Sequence, residues 1–404
     1  MSLQDFLKMF DEFSRIGYDE RYGANRVALT EHDIEARAKF ISTLREINAE
    51  VDIDDAGNIY GSVGKNRNGV ISIGSHMDSV PNGGRFDGMY GVVSGLQVLK
   101  ELSREKMDVK LIAVDFTNEE GSRWQPDLLG SGLATGVFDR DFVYSRTDEK
   151  GLKFGDVLMK TGFKGEEKNR IKNIKPDYYI EPHIEQGPVL ENEGYDIGIP
   201  QGIVTDIVDL YTFEGEANQA GPTPMNVRRD ALVAASTFIE RVNGLANKLA
   251  PRIVMTVGEI RNAPNVYSVV PQLVQLKLDI RSPEKNLAYE NEKAAMEIAQ
   301  DIANEKNVSL KIEKGWFLDT IHFDEELIET IEKSCKDLNM KYKYIYSWAT
   351  HDAMNMNKIT RTAMVMIPSH NGRSHTKEEY SSDSDLIKGF RVLGKTIGYL
   401  TGKS

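Results

Sequence analysis

The sequence predicts an α/β protein: a catalytic domain with a central mixed, mostly parallel sheet flanked by helices, plus an inserted ferredoxin-like α+β domain. Three observations lead there. At 404 residues the chain exceeds what one hydrophobic core usually organises. Its first half alternates short apolar runs that end in polar residues with segments of helical spacing. From about residue 203 the rhythm changes to β-α-β-β-α-β, the split ferredoxin-like pattern.

GVISIGSH (69–76) is a short β-branched run ending in polar residues. GVVSGLQVLKELSRE (91–105) has helical apolar spacing, and VKLIAVDFTNEE (109–120) is again a strand with a polar C-terminal end. A right-handed crossover makes the two strands of this β-α-β unit parallel, and ligands of such sheets bind outside the strand C-termini, where His76 and Glu120 lie. PDYYIEPH delivers His183 in the same way.

The Gly- and Pro-containing stretch ENEGYDIGIPQG reads as a linker or crossing loop. After it come strand IVTDIVDLYTFEG, helix NVRRDALVAASTFIERVNGL, strands RIVMTVGEI and VVPQLVQLKLDIR, helix LAYENEKAAMEIAQDIAN and strand VSLKIEK. The expected inserted domain is therefore 205–317, and 1–204 with 318–404 form a discontinuous catalytic domain.

Composition narrows the function classes. A net charge of −12 argues against nucleic acid as a partner, because phosphate binding needs a basic surface. No run approaches the ~18 consecutive apolar residues of a membrane span, and MSLQDFLKMFDEFSRIG lacks the basic region and apolar core of a secretory signal. The expectation is a cytoplasmic enzyme acting on a small molecule, with no membrane association. The lone Cys335, in IEKSCKDLN, reads as a buried or idle thiol, so any metal must be held by His and carboxylates.

Four of the seven histidines, His76, His183, His351 and His375, fall in dense polar or Gly-containing loops. In GSHMDSVPNGGRFDG, a neutral His76 suits zinc, Asp78 could receive its other ring N–H, and Asp87 could bridge two ions. An isolated His-x-Asp fits equally a structural His capped by a carboxylate. Glu119 and Glu120 point to opposite sides of extended backbone, so one can bind metal while the other faces a water, or both can be a solvated acidic loop. Each feature alone is ambiguous. As a set, His76, Asp87, Glu120, His183 and His375 suit a two-metal site with one side open to water.

GSHMDSVPNGGRFDG, NEEGSRW, HIEQGPVLE, AGPTPMNVRRDA, LDIR, HDAMNM and GRSHTKEEYSS, in this order, resemble the zinc-dependent aminoacylase and carboxypeptidase superfamily. The match spans most of the chain. HIEQGP together with GGRFDG resembles specifically its branch of allantoate amidohydrolases, N-carbamoyl-L-amino-acid hydrolases and β-ureidopropionases. The resemblance implies two divalent ions per subunit, zinc first, with manganese, cobalt and nickel compatible with the same ligands. It implies that His76 and His183 bind one ion, Glu120 and His375 the other, and that Asp87 bridges. Glu119 would be the general base, and Asp78 would orient His76. Gln186 and Arg281 would contact substrate, with His351 and Asp352 as support near the site. The inserted domain would be a lid through which two subunits form a homodimer.

Three departures from the branch concern substrate and transition-state contacts. Gln219, in ANQAGPTPM, stands where the branch carries a His thought to reach across the dimer to the oxyanion; a Gln amide can donate a hydrogen bond there but supplies no charge. Ser268 stands thirteen residues before Arg281 where the branch has Asn, although Asn265 lies close by. ATHDA replaces a Gly-rich approach to HDA. The expected activity is hydrolysis of a linear ureido or related amide bond in a small carboxylate-bearing molecule, such as an N-carbamoyl-L-amino acid or allantoate. Alternatives are an N-acyl or N-formyl amidohydrolase, a dipeptidase, and a ligand-binding protein with weakened catalysis.

Overall fold

A computed structural model of the chain describes residues 2–402. These fall into two compact units, one formed by the chain up to Gln201 and from Phe323 onward, the other by Gly202–His322.

The central sheet of the first unit runs Glu50–Ile53, Ile59–Val63, Lys110–Phe116, Val70–His76, Tyr178–Ile184, Arg361–Ile367, then the strand that begins at Ile197. The four middle strands are mutually parallel. The sheet is mixed because Ile59–Val63 joins antiparallel on one side and Gly198 pairs antiparallel with Met366 on the other. Every position of Val70–His76 is buried, which explains its near-continuous apolar run: helices cover both faces of a parallel sheet. Helix Met89–Leu102, buried from Met89 to Leu99, makes the crossover between Val70–His76 and Lys110–Phe116. His76 pairs with Phe116 and Ile184 with Ile367, so the parallel strands end along one edge of the sheet. Polar residues at or just beyond those ends are thereby gathered.

In the second unit, four antiparallel strands lie in the order Val254–Ala263, Leu273–Ser282, Thr205–Glu214, Ser309–Leu318. Helices Ala231–Leu249 and Lys285–Lys306 supply the other half of its core, with Phe238, Val242, Ala295 and Ile302 packed with Tyr211, Phe213, Leu276 and Ile280. Two elements differ from the sequence expectation. The first helix starts at Ala231, because Asp230 caps it by accepting from the Leu232 and Val233 N–H groups. The segment read as one strand from VVPQ splits at Pro271, which has no N–H to donate, into Val269–Val270 and Leu273–Ser282. Among the described residues no helix is long and apolar enough to cross a membrane.

Candidate metal centre

Strand Val70–His76 ends with the His76 ring inside the protein, 1% exposed. Beyond it the chain turns through the Gly-rich loop to Asp87 and enters helix Met89–Leu102 at Gly88, whose φ is +62°. Only glycine fits there: a Cβ would stand 2.5 Å from the His76 Nε2, and its backbone conformation is the left-handed one. Strand Tyr178–Ile184 brings His183, fully buried, and the loop after Lys110–Phe116 brings Glu119 and Glu120. His375 comes from the loop between Ile367 and helix Asp383–Leu400.

These side chains converge on Asp87. Its Oδ1 lies 3.1 Å from His183 Nε2 and 3.5 Å from His76 Nε2; its Oδ2 lies 3.3 Å from His375 Nε2. Glu120 Oε2 is 3.2 Å from the same His375 nitrogen. Two potential cation-binding groups, His76–Asp87–His183 and Asp87–Glu120–His375, share the Asp87 carboxylate, and a third, Glu181–His183–His351, lies behind His183. Glu119 belongs to none of them, although its Oε2 stands 3.5 Å from His76 Nε2.

Hydrogen bonding behind the rings settles what faces Asp87. His76 Nδ1 lies 2.9 Å from the Asp78 carbonyl and His183 Nδ1 2.9 Å from the Ile184 carbonyl. A carbonyl only accepts, so the neutral imidazoles carry their protons on Nδ1 and turn Nε2 lone pairs toward carboxylate oxygens. His183 Nε2 is buried with no hydrogen-bond partner. Acceptors facing acceptors in a buried space call for positive charge between them, and imidazole plus carboxylate is a donor set for divalent cations. The electrostatics agree. Burial and the neighbouring Asp87 push the Glu120 carboxyl up to about 8, while burial, with repulsion from Asp352 and Glu120, raises Glu119 well above the carboxylate range. Its hydrogen bond to Asp87 lifts His375 to about 9, and for His76 the pull of Glu119 and Asp87 overcomes the opposing effect of burial.

Asp78 departs from its expected role. The His76 ring meets the backbone carbonyl of Asp78, while the carboxylate stands 3.8 Å from Nδ1. That carboxylate accepts instead from the Glu119 and Glu120 N–H groups, at 3.1 and 3.3 Å, and so ties the His76 turn to the paired glutamates. Gln186 joins the cluster through its amide, which donates to Asp87 Oδ2 at 2.6 Å. His351 lies in the interior, its ring centroid 4.4 Å from that of His183 and its Nε2 2.8 Å from Ser347 Oγ; burial beside His183 holds its pKa well below the usual value.

Gln219, Asn265, Ser268 and Arg281 belong to the second unit. The first three share one small ribbon: Asn218–Gln219 pairs with Val269–Val270, the Ala220 N–H donates to the Ser268 carbonyl, and Asn265 has a φ of +56°. Gln219 and Asn265 are exposed. Arg281 is engaged by Asp279 at 2.9 Å and Asp206 at 3.4 Å.

Sequence reasoning missed three groups that support the cluster. Glu181 accepts from Ser75 Oγ, Tyr179 Oη and the Ala353 N–H; an acid two residues before His183 inside an apolar strand was an available signal. Buried Arg37, paired with Asp33 at 2.8 Å and Asp115 at 3.4 Å, fixes the Asp115 carboxylate that accepts the Met77 N–H next to His76; nothing in the sequence linked these distant residues. Glu379 accepts from backbone groups of two loops, and in HTKEEY only its spacing of four from His375 hinted at it.

The profile of Peptidase family M20/M25/M40 matches residues 72–398. The chain is 34% identical over 391 residues to an N-carbamoyl-L-amino-acid amidohydrolase of Rhizobium meliloti, spanning 95% of this chain and 92% of that protein. It is 30% identical over 396 residues to an allantoate amidohydrolase of Bacillus subtilis (strain 168), spanning 97% and 95%. The crystal structure of an amidase of the hydantoinase/carbamoylase family from Burkholderia multivorans is similar with a TM-score of 0.90 at 30% identity, covering 99% of this chain and 98% of that one.

Proposed function

The chain belongs to Peptidase family M20/M25/M40, and on that footing we propose that it is a two-metal amidohydrolase that cleaves a linear ureido bond in a small carboxylate-bearing molecule, such as an N-carbamoyl-L-amino acid or allantoate. The observation that carries this reading is the shared Asp87, with one carboxylate oxygen facing His76 and His183 and the other facing His375. His76 and His183 would hold one divalent ion, Glu120 and His375 the other, with Asp87 between them. Zinc suits these ligands best, and manganese, cobalt and nickel are compatible. When bound, such ions polarise a carbonyl and make water a stronger nucleophile.

The chain's own residues do the rest. Glu119, next to the cluster yet outside both groups, takes a proton from the attacking water and returns it to the leaving nitrogen. Asp78 holds the Glu119 backbone in place for that transfer. Gln186 stands beside Asp87 as a substrate contact. Roles for Gln219, Asn265, Ser268 and Arg281 as substrate contacts, for His351 as support, and for the second unit as lid and homodimer-forming part are further elements of the same proposal.

Incubating metal-loaded protein with a panel of N-carbamoyl amino acids and allantoate tests it through ammonia release. No ammonia above that from a Glu119→Gln control would sink the ureido reading. Gln219, an exposed amide in the place of the branch's His, favours a second reading with an N-acyl or N-formyl substrate. Release of acetate or formate without ammonia would select it.

A further inference from the structure

We propose that Glu379 is a positioning residue that fixes the separation of Asp87 from His375, and thereby sets the affinity of the Asp87–Glu120–His375 side for its cation; this rests on the two-metal reading above. Glu379 is 4% exposed, and its two oxygens serve two loops. Oε1 accepts from the Phe86 and Asp87 N–H groups at 2.9 and 3.0 Å. Oε2 accepts from Ser374 Oγ at 2.8 Å and from the His375 N–H at 3.3 Å. One rigid carboxylate therefore spans the backbones of the bridging Asp87 and the third histidine.

The two sides of the cluster differ in how much they need this span. His76 and His183 sit at strand ends in a parallel sheet, and each ring is oriented by a backbone carbonyl. His375 has neither support. It lies eight residues beyond strand Arg361–Ile367, its side chain is 51% exposed, and its backbone is left-handed at φ +55°. A non-glycine residue in that conformation is strained and persists only where its surroundings over-determine it. At His375 the N–H is held by Glu379. Gly84 makes room for the arrangement: any Cβ there would overlap the Glu379 carboxylate.

Glutamine cannot replace this residue. Its amide offers one accepting oxygen and an NH2 group, which the Ser374 hydroxyl can accept but a backbone N–H cannot, so it can hold the Asp87 backbone or the His375 backbone and must release the other. Metal analysis and zinc-competition titration of the full chain test the proposal without reference to turnover. The wild type is expected to bind two zinc ions; Glu379→Gln keeps the tighter ion at unchanged affinity and binds the other about 10–100-fold more weakly, the range for losing a group that orients a ligand. Should Glu379→Gln fail to fold, Glu379→Asp, whose shorter side chain cannot reach both loops, is expected to weaken the same ion in the same direction; Ser374 is left intact because its Oγ also meets Asp87 Oδ2 at 3.0 Å. Two ions at wild-type affinity in the variants, or equal weakening of both ions, would overturn the inference while leaving the two-metal reading intact. Fewer than two zinc ions in the wild type would overturn both.

Discussion

In the first unit, His76, Asp87, Glu119 and His183 are at most 6% exposed, and every one is held by groups that leave it little freedom. In the second, Gln219 lies exposed on a two-residue ribbon and Asn265 in the exposed loop that leads into its partner strand, next to a fully exposed Tyr267. The contrast separates two kinds of requirement. Charges buried together must compensate one another, so removing any one leaves its neighbours unpaired in a medium that penalises them. An exposed amide on a short ribbon keeps water as an alternative partner, and its replacement disturbs nothing else. The buried cluster thus sits in the part of the molecule least able to change, whereas two of the three departures from the branch pattern, Gln219 and Ser268, fall in the second unit and only ATHDA falls in the first.

That division can be broken experimentally, beginning with the largest effect. Stripping divalent ions with a chelator is expected to abolish amide hydrolysis, and returning zinc or manganese to restore it; activity that survives complete demetallation, confirmed by elemental analysis, would end the two-metal reading. Glu119→Gln is expected to lower kcat by about 10²–10⁴-fold, the usual contribution of a positioned general base, with KM and metal content nearly unchanged. A loss of metal instead would make Glu119 a ligand.

Smaller effects are expected from the second unit, and in a different parameter. Arg281→Ala removes a charged hydrogen-bonding partner worth about 1.5–3 kcal/mol, so KM should rise by about 10–100-fold while kcat falls less. Because Arg281 also pairs with Asp279 and Asp206, a melting curve must show the variant folded; an unchanged KM would remove it from substrate binding. Gln219→Ala should lower kcat by only about 3–10-fold, the worth of one neutral hydrogen bond. A drop as large as that of Glu119→Gln would erase the contrast between the units. The smallest effect belongs to Cys335: burial pushes its thiol up to about 12, so iodoacetamide at pH 8 should label the native protein negligibly and the unfolded chain fully.

Legibility followed the same physical line. Val70–His76 and Lys110–Phe116 were readable as parallel strands because their apolar runs stop at polar residues, and that stopping point is the sheet edge. His183 was legible for the same reason. The break at Pro271 and the cap at Asp230 were written locally too, but the longer apolar pattern around them hid both. What the supporting carboxylates do could not be read. Asp78 stands two residues from His76 and looks like its partner, yet its oxygens turn to the N–H groups of Glu119 and Glu120, forty-odd positions away. Glu379 and Arg37 carried still less signal, since each acts on residues far along the chain.

By itself the sequence determined the chemical inventory and the edge on which much of it would gather: imidazoles and carboxylates at strand ends, few enough to name, in a chain with a single cysteine. Periodicity and residue type are local properties, and strand direction follows from them through the handedness of the crossover. Only the tertiary structure decided which oxygen faces which nitrogen. Hydrogen-bond partnership depends on distances of about 3 Å between atoms brought together by folding, and no spacing along the chain encodes whether a buried carboxylate will meet an imidazole or a backbone N–H.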